Sequence, residues 1–288
     1  MSEQTVSHSL GQLAWTRLRQ NRTARVAAGV LLSLVILIIV GPWLSPHDAA
    51  AIDFLRPWNT PPALDGGHWF GTDSLGRDLF ARTLEGGRLS LLVGLVSTLV
   101  SLGIGVAWGA VAGYFGGRLD GWMMRAVDVL YALPFLFFVI LLTVFFGRHL
   151  VLIFIAIGLV NWLDLARIVR GQTLSLRHRE FVAAARAAGL GDADILRRHI
   201  VPNLAGVVAV YITLTLPQVI LTESFLSFLG LGVQEPAASW GALISDGAAD
   251  MESAPWALMF PTAFLALTLL CCNFIGDALR DALDPKNP

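Results

Sequence analysis

The sequence predicts an all-α, polytopic membrane protein with about six transmembrane helices, and three observations carry that expectation. Hydrophobic residues make up 55% of the 288-residue chain and charged residues only 14%, with a mean hydropathy of +0.66. A soluble domain needs about a quarter charged residues to cover its surface, so much of this exterior must face lipid. Apolar stretches recur near the length of about 20 residues that crosses roughly 30 Å of hydrocarbon. Finally, Lys and Arg are distributed unevenly between the segments that join these stretches.

The first stretch, Val26 to Leu44, follows a polar N-terminal segment and Arg22 and Arg25. A cleaved signal peptide would close on a small-x-small site, whereas this run ends in Gly41-Pro42-Trp43, so it reads as an uncleaved span. The second, Leu89 to Phe115, carries no charge. The third runs from about Val127 to Phe146, with Asp128 near its start, and Gly147-Arg148-His149 turns into the fourth, Leu150 to about Leu165. The fifth lies between Pro202 and about Leu231, the sixth between Trp256 and Ile275.

With the N-terminus inside, fifteen of the twenty Lys and Arg fall on inner segments and five (Arg56, Arg77, Arg82, Arg88 and Arg148) on outer ones. That excess follows the positive-inside rule. The expected organisation is a cytoplasmic segment 1–25, a membrane domain 26–275 and a cytoplasmic tail 276–288. Loops 45–88 and 232–255 are then outside and the connection 167–201 inside, in a bacterial inner membrane with both termini cytoplasmic. Trp43, Trp58, Trp69, Trp240 and Trp256 fall near outer edges and Trp162 near an inner one, as interface anchors do. Trp108 reads as a packing residue.

The net charge of -1 and the lack of a long basic run argue against a nucleic-acid partner. Cys271 and Cys272, adjacent on one helix, suit neither a mutual disulfide nor a metal site. No Gly-x-x-x-x-Gly-Lys-Ser/Thr loop is present, so this chain is not expected to bind nucleotide.

Two loops carry information. In the first, Gly71 to Arg82, Thr72 or Asp73 is a plausible N-cap of a short helix with Leu75, Leu79, Phe80 and Leu84 on one side. Asp78 stands four residues before Arg82, and Gly86-Gly87 is expected to end the helix. The segment holding Asp73, Gly76, Arg77 and Asp78 reads as an amphipathic helix in the outer interface, structural or in contact with solute. In the second loop, Glu180 to Gly191 is dense in alanine, with Phe181, Ala184, Ala185 and Ala188 on one expected face. Gly189 and Gly191 end that helix, Asp192 can cap a second from Ala193 to Ile200, and Pro202 closes it. Two short helices at a glycine turn make a rigid knob, which suits docking better than mere connection.

Three ionisable residues lie in or near spans, where charge is expensive. Asp128 and Asp164 lie near inner edges, where they can reach water or nearby Arg125 and Arg167. Glu223 either lines a path or meets a partner permease, or is a buried glutamate in a helix-to-loop corner.

The second loop resembles the signature of ATP-binding-cassette (ABC) importer permeases: a Glu-Ala-Ala triplet, three residues, a Gly, and a Pro thirteen residues later. The triplet here is Ala183-Ala184-Ala185, with Gly189 and Pro202; its glutamate is absent, though Glu180 lies one turn upstream. Glu180 to Gly189, including Arg186, and Arg198 to Asn203 look like the dipeptide and oligopeptide branch, specifically the dipeptide-permease-C-like family. So do the blocks Gly71 to Asp78, Tyr114 to Asp120, Glu223 to Gly232 and Gly276 to Pro285. The resemblance covers roughly residues 20 to 285. It implies a type I ABC importer permease fold that couples ATP hydrolysis on partner subunits to peptide translocation, without enzymatic activity of its own. The implied partners are a second homologous permease, two ABC ATPase subunits carrying ATP and Mg, and an extracytoplasmic solute-binding protein. Glu180, Ala183, Ala184, Ala185, Arg186, Gly189 and Pro202 would form the ATPase-coupling loop. Nickel, glutathione or another small solute remains open as cargo. A secondary transporter is the remaining rival, but the internal repeats and broken spans common in that class are not visible in the sequence.

Overall fold

The computed structural model describes residues 16–54, 58–64, 67–147 and 149–283. Residues 1–15, Arg56, Arg148 and the Asp284-Pro285 end of the terminal block therefore lie outside the described residues, although the sequence reading used them. A helical segment over 16–20 (α1) is followed by α2 (Arg22–Leu44), α3 (Leu79–Phe115), α4 (Gly117–Tyr131), α5 (Phe135–Phe146) and α6 (Leu150–Leu176). Then come α7 (Glu180–Ala187), α8 (Asp192–Ile195), a π-helical turn (Leu196–Ile200) and α9 (Val201–Asn203). The chain ends with α10 (Ala205–Phe228), α11 (Trp240–Ala249) and α12 (Pro255–Leu283). Among the described residues there is no strand, only two isolated antiparallel bridges.

Four helices, α2, α3, α10 and α12, are each long and apolar enough to cross a membrane, and the bent pair α4–α5 is a fifth such element. Helix α6, with 27 residues, reaches about 40 Å. It is apolar to Val160 and then carries Asn161, Asp164, Arg167 and Arg170. The six expected stretches thus map onto helices, but the third is not a straight span. It bends by 79° between α4 and α5. Pro134 is the N-cap of α5 and disfavours helical geometry at Leu133, which breaks the run there. The expectation that no span is broken is corrected accordingly.

The short interfacial helix is also corrected. Helix α3 begins at Leu79, one residue after its Asp78 N-cap, and runs straight through Gly86-Gly87 for 37 residues. Leu79, Phe80 and Leu84 do share a face, but that face is buried in the bundle, and only Leu75 remains exposed. Gly86 and Gly87 serve close packing rather than termination: a Cβ on Gly87 would lie 2.8 Å from the Trp240 ring.

Helices α3 and α6 form the most extensive pairing in the molecule. Gly105, Gly109 and Gly113, spaced by four, line one stripe of α3. An added Cβ would come within 2.9 Å of Leu165 at Gly105 and 2.7 Å of the Arg170 carbonyl at Gly113. Small residues at this spacing let two membrane helices approach backbone to backbone. Helix α2 joins α3 differently. Pro42 within α2 has no N–H to satisfy the Ile38 carbonyl, and Arg88 Nε donates to that oxygen at 3.0 Å. Its Nη2 also donates to the Ile39 carbonyl.

Antiparallel succession places the C-terminal ends of α3 and α6 beside α7–α9, at what we call the knob end. Residues 45–78, the 229–239 connection and α11 gather at the opposite loop end. The expected outer loop 232–255 is therefore partly helical, with Ser239 Oγ accepting from Ala242 N at 3.3 Å to cap α11.

Candidate functional site

At the knob end, α7 lies against the bundle through Val182 and Ala185, both buried. They join Ile195 and Ile200 from the returning segment, Ala110 and Tyr114 from α3, and Leu165 and Val169 from α6 in one apolar cluster. Polar contacts fix the same pieces. Tyr114 donates its hydroxyl to Asp192 Oδ1 at 2.6 Å, Arg177 donates to the Gly113 carbonyl at 3.3 Å, and the Arg186 guanidinium stands 5.3 Å from the Tyr114 ring centre. Arg170 pairs with Asp120 at 2.6 Å and Arg167 with Asp128 at 2.9 Å, tying α6 to α4.

The expected face of α7 is half right. Phe181, Ala184 and Ala188 are exposed, as are Glu180, Ala183 and Arg186, but Ala185 points inward. At 100° per residue Ala185 falls beside Val182, and the larger apolar Val182 decides which stripe turns to the core. Gly189 has φ +81 and nothing within 4 Å of an added Cβ, so its backbone and not its surroundings demands glycine. Its N–H donates to the Arg186 carbonyl at 2.9 Å, closing the helix.

Asp192 caps nothing with its side chain; its carboxylate is taken by Tyr114. Pro202 does not close the second helix either. It sits near the start of α9, and the turn before it widens, with Val201 N–H bonding the Leu196 carbonyl five residues back. A proline cannot bond the carbonyl four residues before it and its ring crowds that group, so a π turn relieves the clash while the path stays helical into α10.

The loop end is held by charge. Asp73 Oδ1 accepts from the Leu75 and Arg77 amides at 2.9 Å each, and Gly76, at φ +79, completes that turn. Asp73 Oδ2 accepts from Arg77 Nε at 2.8 Å, and Arg82 Nε lies 3.4 Å from it. Arg77 Nη2 reaches across to Glu235 Oε1 at 2.7 Å. Burial alone would lower the Arg77 guanidinium, yet the hydrogen bonds and charges of Glu235 and Asp73 hold it above its ordinary value. The expected Asp78–Arg82 pair does not form: Asp78 Oδ1 caps α3 by accepting from Ala81 N at 2.7 Å, and its Oδ2 meets His68 Nδ1 at 2.8 Å. His68 Nε2 lies 3.3 Å from Asp53, and its ring stacks on His47. Sequence reasoning gave no role to His68, Asp53 and Glu235 and met Asp120 only as the end of a resemblance block; their partners stand 10 or more positions away, so no local signal marks them.

Glu223 is enclosed by its own chain. Ser90 and Ser227 donate to its carboxylate at 2.9 and 2.7 Å, and Ser90 Oγ accepts from the Trp240 amide at 3.2 Å. This is the buried-corner alternative rather than a lining or partner contact. Trp240 is likewise no interface anchor: it is fully buried, with Nε1 donating to the Thr83 carbonyl at 2.9 Å. Trp162 is buried against Trp108, ring centres 5.3 Å apart, whereas Trp43 and Trp58 are exposed as anchors would be. Asp128 pairs with Arg167, and Asp164 is exposed with no ion pair among the described residues, which matches the water-facing alternative for it.

Comparison with known proteins bears on both ends. A family model described as binding-protein-dependent transport system inner membrane component matches residues 105–287, and one described as the N-terminal TM domain of oligopeptide transport permease C matches residues 9–62. The oligopeptide transport system permease protein OppC of Haemophilus influenzae is 53% identical over 287 residues, spanning 99% of this chain and 91% of that protein. OppC of Escherichia coli K12 is 53% identical over 97% of this chain and 92% of its own length. The dipeptide transport system permease protein DppC of Bacillus subtilis is 47% identical over 97% of this chain and 87% of its own length.

Proposed function

Because this chain belongs to the family of binding-protein-dependent transport system inner membrane components, we propose that it is a permease subunit of an ABC importer for oligopeptides or dipeptides. It works as a multi-pass inner membrane protein, with both termini and the knob in the cytoplasm. The excess of Lys and Arg on the knob side supports that orientation. Its partners are a second permease of the same kind, two ATPase subunits that hold ATP and Mg, and a solute-binding protein outside.

The observation that carries the reading is the rigid, one-sided seating of the knob. Val182, Ala185, Ile195 and Ile200 are buried in the same cluster as α3 and α6 residues, while Phe181, Ala184 and Ala188 stay open to a neighbour. A push on that open face cannot be absorbed by local flexing, because interiors are close-packed and transmit strain. It passes to α3 and α6, which the Gly105, Gly109 and Gly113 stripe holds together, and through the π turn and α9 into α10. Closure of the ATPase pair would thereby bias a two-state membrane pathway between inward-open and outward-open forms. At the far end, the Asp73–Arg77–Glu235 network keeps loop 45–78 fixed to α11 and its flank, a firm platform for a delivering protein.

The test is reconstitution of the complete importer in vesicles, with uptake and ATP hydrolysis measured for tri- to pentapeptides, nickel and glutathione. Peptide-stimulated hydrolysis with matching uptake is the expected result. Stimulation by nickel or glutathione alone would replace peptide as the cargo, and uptake driven by an ion gradient without ATP would overturn the reading.

A further inference from the structure

Helix α4 carries a feature that the coupling role does not use. Arg118, Trp122 and Arg125 stand at i, i+4 and i+7, along one face, and all three are exposed. With Gly121 they line an open hollow of about 360 Å³. Gly121 keeps the hollow open, since an added Cβ there meets nothing within 4 Å. Trp122 is 76% exposed, an uncommon state for the largest apolar side chain unless something covers it.

The charges single this face out. Helices α4 and α6 carry four arginines. Arg167 and Arg170 are neutralised by Asp128 and Asp120, whereas Arg118 and Arg125 have no acidic partner among the described residues. The hollow therefore presents two cations whose charge this chain's described acids do not balance.

Depth says where an anion to balance them would come from. Arg88 is the last charged residue before the long apolar stretch of α3. About 20 residues cross the hydrocarbon, which puts its far edge near Trp108. Trp108 Nε1 donates to the Met123 carbonyl at 3.2 Å, so Met123 of α4 sits at that same level. Residues 118 to 125 therefore straddle the boundary between hydrocarbon and headgroups at the knob end. Arg118 and Arg125 lie about 10 Å apart along the helix, the depth of a headgroup zone, with an indole between them. Val129, exposed on the same helix one turn beyond Arg125, offers apolar surface for an acyl chain.

We infer that this hollow binds the phosphate headgroup of an anionic phospholipid in the knob-side leaflet, held between Arg118 and Arg125 with Trp122 packed against its glycerol region. A basic pocket at a membrane edge is the chemistry that selects such lipids. The site touches α4 next to the Asp120–Arg170 and Asp128–Arg167 bridges, so a bound lipid would brace the helix pair that carries the knob.

The test is native mass spectrometry of the complete importer, titrated in mixed micelles with phosphatidylglycerol or phosphatidylcholine. The wild type should hold one tight phosphatidylglycerol that R118Q/R125Q binds about thirtyfold more weakly, at roughly fivefold per cation, with phosphatidylcholine unchanged. R118K/R125K should keep most of the affinity. G121L, which fills the hollow and leaves both cations, should also lose the tight lipid, and it serves as the readout if the double glutamine variant fails to assemble. Unchanged phosphatidylglycerol binding in R118Q/R125Q or in G121L would overturn the assignment. So would one-for-one displacement by inorganic phosphate, which would make it a free-anion site. Loss of a protein subunit from the double variant with lipid still bound would make the face a protein contact instead.

Discussion

At one end of the bundle, Val182, Ala185, Ile195 and Ile200 hold a helical hairpin by burying apolar surface; at the other, Asp73, Arg77, Arg82 and Glu235 hold a long loop by charge. Both ends are rigid, but they are rigid in different ways. Apolar packing is non-directional and leaves the opposite face of α7 free of obligations, so Phe181, Ala184 and Ala188 can meet a partner. Ion pairs are directional and fix register. They pin the 71–78 segment and Glu235 to one another at defined distances, with Glu223 anchoring α10 against Ser90 below them. The lever end is a smooth surface on a packed base, and the loop end is a latch.

The largest effect that would sharpen this contrast is expected from Asp73→Ala. It removes the acceptor for Arg77 Nε, the ion-pair partner of Arg82 and the turn bonds to Leu75 and Arg77 together. Losing one member of a buried charge cluster typically costs about 3–5 kcal/mol. Hydrogen exchange should show residues 58–78 opening while the knob amides keep their protection. Equal loss of protection at both ends would break the comparison.

Ile195→Ala is the counterpart at the knob, with an expected loss of about 2–5 kcal/mol from lost burial and a residual cavity. Its effect should be nearly independent of salt. A marked rescue by high salt would show that charge, not packing, holds the hairpin.

Ala185→Leu separates the two faces of α7. Because Ala185 is 6% exposed and faces the cluster, the added volume should overpack the base by about 1–3 kcal/mol. ATPase subunits should still copurify, with coupling weakened because the knob is tilted. Clean loss of copurification with the knob's exchange protection intact would place Ala185 on the docking face after all.

Tyr114→Phe removes only the hydroxyl that Asp192 accepts, and leaves the ring beneath Arg186. Asp192 is exposed and can turn to water, so about 1 kcal/mol is expected, seen as faster exchange in 190–200 alone. The smallest structural change belongs to Ala184→Glu, within about 0.5 kcal/mol because the site is exposed. Peptide-stimulated hydrolysis should nonetheless fall sharply, since a charge then occupies the smooth face. Normal stimulation in that variant would remove the docking role from this face.

Several features were legible because they are local. Gly189 is expected from the sequence to end its helix, and it does so at φ +81, the left-handed geometry in which many helices close on glycine. The apolar stretches marked the spans because lipid imposes length and composition on any crossing segment. Other features were illegible for an equally physical reason. The Asp73 network joins residues more than 150 positions apart, and nothing in the 71–82 segment reveals that Arg77 will find Glu235 rather than that Arg82 will find Asp78. The four-residue spacing of Gly105, Gly109 and Gly113 was present in the sequence as a sign of close helix approach, but which helix would approach was not.

By itself, then, the sequence determined the all-α membrane class, the order of the spans, the knob and the family resemblance, since each follows from composition or from a continuous motif. Tertiary structure alone decided which stripe of α7 turns inward, that Pro202 widens a helix instead of ending it, that the third span breaks at Leu133, and that Glu223 and Trp240 are buried. Those outcomes depend on which side chains arrive from other helices, and periodicity along one helix names a stripe without saying what will cover it.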